Sequence, residues 1–186
     1  ELLVEVALSI LDDRPKLVVD LGTGTGAIAI AIASERSSWS VFASDVAPSA
    51  VALARRNAER IGLLNLSIRQ GSWFEPYQET FDLIISNPPY IDSIDEHLAQ
   101  GDLRFEPRSA LVAERSGLAD LEYLIETAPA FLNPDGWLML EHGYDQAELL
   151  LQRFIKCGYT DIRQERDLGG NMRVTAGQWV GESDAV

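Results

Sequence analysis

The stretch that decides the fold is KLVVDLGTGTGAIAIAIASER, residues 16–36. Its first part, KLVVDLG (16–22), is a short run of β-branched and apolar residues that ends at a glycine, which is typical of a buried strand. Its last part, AIAIAIASER (27–36), is rich in alanine and long enough for a helix. Three glycines at alternate positions join the two parts, so the stretch predicts a strand, a glycine turn and a helix.

The alternation of strands and helices continues along the chain. Further strands are predicted at SVFASD (40–45), LSIRQG (66–71), FDLIIS (81–86) and WLMLEH (137–142), and helices at 47–62, at about 118–132 and at 144–158. The last two strands, near YTDIRQER (159–166) and MRVTAGQWV (172–180), have no helix between them and are predicted to be antiparallel. The sequence therefore predicts a mostly parallel sheet, covered by helices on both faces, with an antiparallel last strand. Ligands of such folds bind beyond the carboxyl ends of the strands.

The composition bounds the class of protein. With 186 residues, of which 46% are hydrophobic, the chain is long enough for one domain with a sizeable core. Its net charge of -14 disfavours direct binding to naked nucleic acid. One cysteine and the lack of any Cys/His cluster with zinc-ligand spacing favour a reducing compartment and no metal site. No apolar run is long enough to span a membrane, so we expect a cytoplasmic protein.

The glycine turn, DLGTGTG (20–26), suits an anionic or strongly polar ligand group. The helix that begins behind the glycines offers unpaired N–H groups and a partial positive charge. The spacing differs from the dinucleotide fingerprint because residue 27 is alanine, and no Walker lysine follows. Asp45, at the end of the second strand, is suited to accept hydrogen bonds from ribose hydroxyls. Loop and acid together indicate a nucleoside-containing cofactor; the alternative is a packing turn with Asp45 as a helix cap. Asp20 either supports an ammonium group of the cofactor or holds the loop backbone.

The second informative motif is SNPPY, residues 86–90, directly after a predicted strand. If the cofactor is S-adenosylmethionine, the nitrogen that accepts its methyl must offer a lone pair, which in an amide or aromatic amine is delocalised. The side-chain carbonyl of Asn87 and the backbone carbonyl of Pro88 can hold the two N–H hydrogens of such a nitrogen. Pro88 and Pro89 stiffen the corner, and Tyr90 offers a flat face for a planar group. The alternative is an ordinary turn at the end of a strand.

Together, DLGTGTGAIAIAIASER, SNPPYI, QGDLRFEPRSALVA and LEHG resemble the protein-(glutamine-N5) methyltransferases of peptide chain release factors, the HemK/PrmC family. The resemblance implies a class I S-adenosylmethionine-dependent, Rossmann-like methyltransferase fold with seven strands. It also implies transfer of a methyl group to the glutamine of the Gly-Gly-Gln (GGQ) motif in release factors, with S-adenosyl-L-homocysteine as product. The release factor is then the partner protein, and a monomer is expected.

The resemblance also assigns roles to residues of the motifs. It places the cofactor against Gly22, Thr23, Gly24, Thr25, Gly26, Asp45, Trp73 and Asn87, and the substrate glutamine against Asn87, Pro88, Pro89 and Tyr90, with Asn87, Pro88 and Tyr90 as the catalytic set. Ser72 stands where members of the family typically have an aspartate, which is expected to weaken a hydrogen bond to the adenine amino group. The resemblance leads us to expect that residues 1–186 correspond to the catalytic domain, without the N-terminal helical domain that helps dock the release factor in the family.

Other interpretations stay open at the level of sequence. The same Asn-Pro-Pro-Tyr geometry serves amino-methyltransferases that act on adenine or guanine in nucleic acid, and a cofactor-binding module without activity is a third possibility. His97, His142 and Cys157 are interpreted as surface or packing residues. Glu141 is either a substrate contact or a solvent-facing cap.

Overall fold

The computed structural model of the chain describes residues 1–88, 91–92, 112–113 and 118–181. The strands are β1 (Leu17–Leu21), β2 (Ser40–Asp45), β3 (Leu66–Gln70), β4 (Phe81–Ser86), β5 (Ile91–Asp92), β6 (Val112–Ala113), β7 (Leu132–Glu141), β8 (Thr160–Arg166) and β9 (Met172–Trp179). The helices are α1 (Leu2–Ile10), α2 (Ala27–Glu35), α3 (Pro48–Ile61), α4 (Ala119–Thr127) and α5 (Ala147–Lys156), with short 3₁₀ helices at Ala128–Phe131 and Tyr144–Gln146.

Seven of the strands form one sheet in the order β3-β2-β1-β4-β7-β9-β8. The neighbouring pairs β3–β2, β2–β1, β1–β4 and β4–β7 are parallel, and β9 is antiparallel to both β7 and β8. The prediction of a mostly parallel seven-stranded sheet with an antiparallel last strand is confirmed. Because β2 and β3 lie on one side of β1 and β4 lies on the other, the strand order reverses between β1 and β4. A crevice for a ligand is expected at the carboxyl ends of these strands.

Two apolar layers cover the two faces of the sheet. Neighbouring residues of a strand point to opposite faces, so Leu83 and Ile85 pack in one layer and Ile84 in the other. The first layer includes buried side chains of α1 and α2, such as Leu3 and Ile32, and the second includes buried side chains of α4 and α5. Both faces are therefore sealed, and the edge at the strand ends is left for binding. None of the helices in the described ranges is long and apolar enough to cross a membrane.

Two predicted boundaries are wrong. The helix predicted from about 118 to 132 ends at Thr127 and continues as the 3₁₀ helix Ala128–Phe131, whose first turn contains Pro129, a residue without a backbone N–H. Strand β7 begins at Leu132, five residues before the predicted start at Trp137. The register against β4 jumps from Phe81↔Leu132 to Leu83↔Trp137, so the NPDG segment is a bulge, in which Asp135 has a φ of +63°.

The packing of α5 on β9 leads to a prediction about Gly177. A Cβ atom at this position would lie 2.5 Å from Cδ1 of Phe154 and 3.0 Å from Cβ of Tyr159. Because Phe154 and Tyr159 are buried and Gly177→Ala would crowd both, we expect this substitution to lower the free energy of unfolding by about 1–3 kcal/mol. Urea denaturation followed by circular dichroism measures the change. The control is Glu165→Ala on the exposed side of β8, for which we expect a change within about 0.5 kcal/mol. Equal stability of the Gly177 variant and the original chain would contradict this account of the packing.

Candidate active site

The register of three adjacent strands assembles the site. Leu21 of β1 lies opposite Ser44 of β2 on one side and Ser86 of β4 on the other. Since the three strands are parallel, the next residues along each, Gly22, Asp45 and Asn87, lie at the same edge of the sheet, where the strands end. The glycine turn therefore emerges between the acidic residue and the asparagine, as the sequence motifs require.

The glycine turn needs its glycines because of its backbone conformation. Gly22, Gly24 and Gly26 have φ values of +73°, +56° and +85°, in the left-handed region that disfavours side chains. The backbone amides of Gly22 and Thr23 both donate to the carbonyl oxygen of Ser44, each at 2.9 Å. Nothing lies within 4 Å of the position that a Cβ of Gly24 would take, so the turn presents bare backbone to an open side.

Asp45 ties the end of β2 to the glycine turn. Its Oδ2 accepts a hydrogen bond from the Gly24 amide and its Oδ1 accepts one from the Ala47 amide, both at 2.9 Å. The contact with Ala47 is the short-range turn that an aspartate commonly forms with its own backbone. A carboxylate has about four acceptor positions, and these bonds use two of them. Asp45 therefore combines a structural role with free acceptor capacity.

Asp20 is a buried carboxyl directly under the glycine turn. Its Oδ2 accepts hydrogen bonds from the Thr23 hydroxyl at 2.6 Å and from the Ala29 amide at 3.3 Å. The other oxygen, Oδ1, is buried and has no hydrogen-bond partner among the residues that the structure describes. Burial raises the pKa of Asp20 to about 6, and the nearby charge of Asp45 adds to the rise. The interpretation that Asp20 holds the loop is confirmed by the bond from Thr23, while its contact with an ammonium group of the cofactor stays a prediction.

Trp73 covers the first glycine of the turn. Its Cζ3 lies 3.3 Å from the position that a Cβ of Gly22 would occupy, so only a glycine leaves the indole its place. Trp73 itself has a φ of +46°, a strained conformation for a large side chain. The Ser44 hydroxyl donates to the Trp73 carbonyl at 3.4 Å. Ser72 has no carboxylate, and its backbone amide donates to the carboxylate of Glu75 at 3.1 Å.

The start of the SNPPY motif, residues 86–88, is called the asparagine corner here, and a buried hydrogen bond holds its first residue. Ser86 is fully buried, and its hydroxyl donates to the carbonyl oxygen of Leu21 at 2.7 Å, which joins the base of the corner to β1. Asn87 is exposed and Pro88 is buried, so the amide side chain faces solvent while the following residue packs inside. Pro89 and Tyr90, which the motif assigns to substrate binding, lie outside the described residues.

The remaining candidates take structural positions. His142 is fully buried, with Nδ1 2.8 Å from the Gly143 carbonyl and Nε2 2.9 Å from the Thr175 hydroxyl, and burial lowers its pKa. It is a packing residue that links β7 to β9. Cys157 is half-buried at the end of α5, where burial raises the pKa of its thiol. His97 lies outside the described residues.

Two serines of the site were not found from the sequence. Ser44 holds both the glycine turn and the Trp73 carbonyl, and Ser86 holds the asparagine corner. The only signal was a small polar residue near the end of each apolar strand, and that pattern also occurs where a strand simply reaches solvent.

The chain is similar to known methyltransferases. The model of the family described as "Methyltransferase small domain" matches residues 2–103. Proteins named "Release factor glutamine methyltransferase" are 52% identical to this chain in Salmonella typhimurium, over 97% of the chain, and 50% identical in Escherichia coli, over 96%. The resemblance found in the motifs is thereby confirmed. The chain spans 65% of the length of each of these two relatives.

Solved structures agree on the fold. A methyltransferase from Pyrococcus furiosus superposes with a TM-score of 0.71 at 23% identity, covering 95% of this chain and 81% of that one. A SAM-dependent O-methyltransferase from Thermotoga maritima superposes with a TM-score of 0.72 at 15% identity, covering 97% and 66%. At such identities the likeness concerns the fold alone. Because the family model covers more than half of the residues, the chain belongs to the methyltransferase small domain family.

Proposed function

We propose that this chain transfers a methyl group from S-adenosyl-L-methionine to the side-chain amide nitrogen of the glutamine in the GGQ motif of peptide chain release factors, in the cytoplasm. The observation that carries the proposal is the strand register that brings Gly22 out between Asp45 and Asn87. The name shared by relatives that are about half identical to this chain supports the choice of substrate. Residues 1–186 act as the catalytic domain.

The residues present fit the cofactor. The bare backbone at Gly24 suits its amino-acid part, and the two spare acceptor positions of Asp45 suit a pair of ribose hydroxyls. The buried Oδ1 of Asp20 lacks a donor among the described residues, and the ammonium group of the cofactor would supply one. The indole of Trp73 offers a flat apolar face to the nucleobase. When bound, the cofactor supplies a methyl group on a positively charged sulfur.

The asparagine corner prepares the acceptor nitrogen. In the proposal, Asn87 accepts one N–H of the substrate amide through its side-chain oxygen, and Pro88 accepts the other through its carbonyl. These two bonds hold the amide so that the nitrogen lone pair faces the methyl group. The Ser86 hydrogen bond to Leu21 and the burial of Pro88 keep the corner in place before the substrate arrives. No strong base is needed, since the proton leaves after the methyl group has been transferred.

A protein substrate agrees with the charge of the chain better than a nucleic acid does. Twenty-nine acidic residues against fifteen basic ones repel a polyanion.

The first prediction tests the reaction itself. Incubation of the chain with the cofactor and a release factor should add one methyl group to the glutamine of the GGQ motif, detected by tandem mass spectrometry of the peptide that contains it. A release factor with that glutamine replaced by alanine is the control. If tritiated methyl groups appear in added RNA or DNA but not in the release factor, the nucleic-acid alternative is correct instead.

The second prediction concerns Asn87. Asn87→Ala removes the side-chain acceptor, so we expect kcat to fall by about 100-fold or more, as for other lost transition-state hydrogen bonds. The affinity for S-adenosylhomocysteine, measured by calorimetry, should change by less than about threefold because the glycine turn and Asp45 are untouched. Asn171→Ala, in the exposed turn between β8 and β9, should leave kcat unchanged. A fully active Asn87 variant would refute the acceptor role.

The third prediction concerns the pH dependence of cofactor binding. An ammonium group requires Asp20 in its ionised form, and the pKa of Asp20 in the free protein is about 6. The affinity for S-adenosylhomocysteine should therefore fall roughly tenfold between about pH 7 and about pH 5. Asp20→Asn should bind more weakly at pH 7 and show no such dependence. The exposed carboxylate of Asp13 offers a control, and Asp13→Asn should keep the original pH profile.

The stability of the free protein gives a second readout for Asp20. Because its pKa rises from an ordinary 3.8 to about 6 on folding, the folded state disfavours the ionised form. This cost is absent below pH 4, develops as the pH rises to about 6 and then stays constant, at up to about 3 kcal/mol. Urea denaturation should show Asp20→Asn to be more stable than the original chain at pH 7. Equal stability at pH 7 would mean that the carboxyl is not buried as described.

A further inference from the structure

We infer that Arg69 is a positioning residue, which holds residues 71–79, the Trp73 loop, in the conformation that the cofactor needs. The inference rests on the proposed function, because it concerns the site that Trp73 completes. Arg69 lies on β3, an edge strand of the sheet, and in the described part of the chain its side chain donates hydrogen bonds to Pro76 and Glu79, neither of which is assigned to the cofactor. It acts on Trp73 through the loop.

The guanidinium of Arg69 binds two residues in the C-terminal part of the Trp73 loop. Its Nη1 donates to the Pro76 carbonyl at 2.9 Å, and its two terminal nitrogens donate to the two carboxylate oxygens of Glu79 at 3.1 and 2.7 Å. Such a two-pronged pair fixes direction as well as distance. The side chains of Arg69 and Glu79 are 32% and 33% exposed, so the pair is only partly screened by solvent. A lysine cannot reproduce this geometry.

The same guanidinium lies against aromatic rings that anchor the loop to the sheet. Its central carbon is 4.9 Å from the ring centre of Phe42 on β2 and 5.1 Å from that of Tyr77 in the loop. Tyr77 is buried and meets Phe81 of β4 edge to face, with ring centres 5.4 Å apart. Arg69, which lies on β3, therefore joins the loop to Phe42 of β2, and Tyr77 joins it to β4.

The N-terminal part of the Trp73 loop has little conformational freedom. A Cβ at Gly71 would lie 2.7 Å from Cγ of Pro76, so the chain folds back on itself without a gap. Inside this fold Trp73 is held at a φ of +46° with its indole over Gly22. A large side chain keeps such a conformation only while its surroundings enforce it. Arg69, opposite Ser44 in the strand register and bound to Pro76, is placed to enforce it.

A separate contact keeps the loop folded when the arginine is lost. The ring of Phe74 is buried and stacks on Phe131 with centres 4.6 Å apart, independently of Arg69. Removing the guanidinium is therefore expected to loosen the loop without unfolding the domain. The effect should appear in cofactor affinity and in loop mobility, while the asparagine corner remains intact.

Arg69→Ala tests the inference in the intact chain. We expect the dissociation constant of S-adenosylhomocysteine, measured by calorimetry, to rise about tenfold, which corresponds to about 1.4 kcal/mol. The KM for S-adenosylmethionine should rise in parallel, with kcat changed by less than about twofold. Amide hydrogen exchange in residues 71–79 should accelerate, while exchange in β4 and β7 should not.

The control is Arg163→Ala on the opposite edge strand, β8. Arg163 also pairs with a carboxylate, Asp161 at 2.6 Å, and its central carbon also lies over a ring, 4.9 Å from the centre of Trp137. The same kind of interaction is thus removed far from the loop, and cofactor affinity should not change. Arg69→Lys and Glu79→Gln should each give part of the effect of Arg69→Ala, which decides the matter even if Arg69→Ala fails to fold.

The possible outcomes distinguish a failure of the proposed function from a failure of the positioning role of Arg69. If the original chain does not bind S-adenosylhomocysteine, the proposed function fails. If it binds but the Arg69 and Glu79 variants bind equally well and exchange at the same rate in residues 71–79, the positioning role is overturned. If Arg163→Ala weakens binding as much as Arg69→Ala, the effect is a general loss of stability and the inference is again wrong.

Discussion

The site depends on the carbonyl oxygen of Ser44. This one acceptor takes hydrogen bonds from the amides of Gly22 and Thr23, and thereby fixes where the glycine turn leaves β1. The hydroxyl of the same residue reaches the Trp73 carbonyl, and the next residue, Asp45, binds the Gly24 amide. The glycine turn, Asp45 and the indole of Trp73 are thus all held in place at the end of one buried strand, β2. Hydrogen bonds of the Ser44 carbonyl, the Ser44 hydroxyl and the Asp45 carboxylate set their relative positions.

A further hydrogen bond joins this arrangement to the other half of the site. Ser86 bonds to the Leu21 carbonyl, so the asparagine corner is joined to the strand that bears the glycine turn. The two halves of the proposed reaction, the methyl donor and the nitrogen that receives the methyl group, are therefore held by neighbouring strands of one rigid sheet. Preorganisation of this kind removes part of the entropy that bringing two reactants together would cost.

The sequence was sufficient for what depends on local pattern. All seven strands of the main sheet, the glycine turn and the exit of Asp45 and Asn87 at one edge follow from hydrophobic periodicity and from the rules for parallel sheets. It was not sufficient for what depends on register or on distant packing. The roles of Ser44 and Ser86 follow from which residues face each other, and that of Arg69 from how a loop folds back on its strand. The bulge before Trp137 was hidden because its Asn-Pro-Asp-Gly letters are those of an ordinary turn.

The place of β9 in the sheet has a consequence for biosynthesis. Among the described residues, this strand is the last in sequence, yet it lies between β7 and β8 and is the one partner of β8 found there. While the protein is being synthesised, the nascent chain holds β7 as an open, apolar edge and β8 without a neighbour until residues 172–179 have emerged. An unpaired edge of that kind invites aberrant association. Loss of these few residues to a premature stop would therefore remove β9 and leave β8 without the strand that joins it to the sheet, although no residue of the proposed site would be missing.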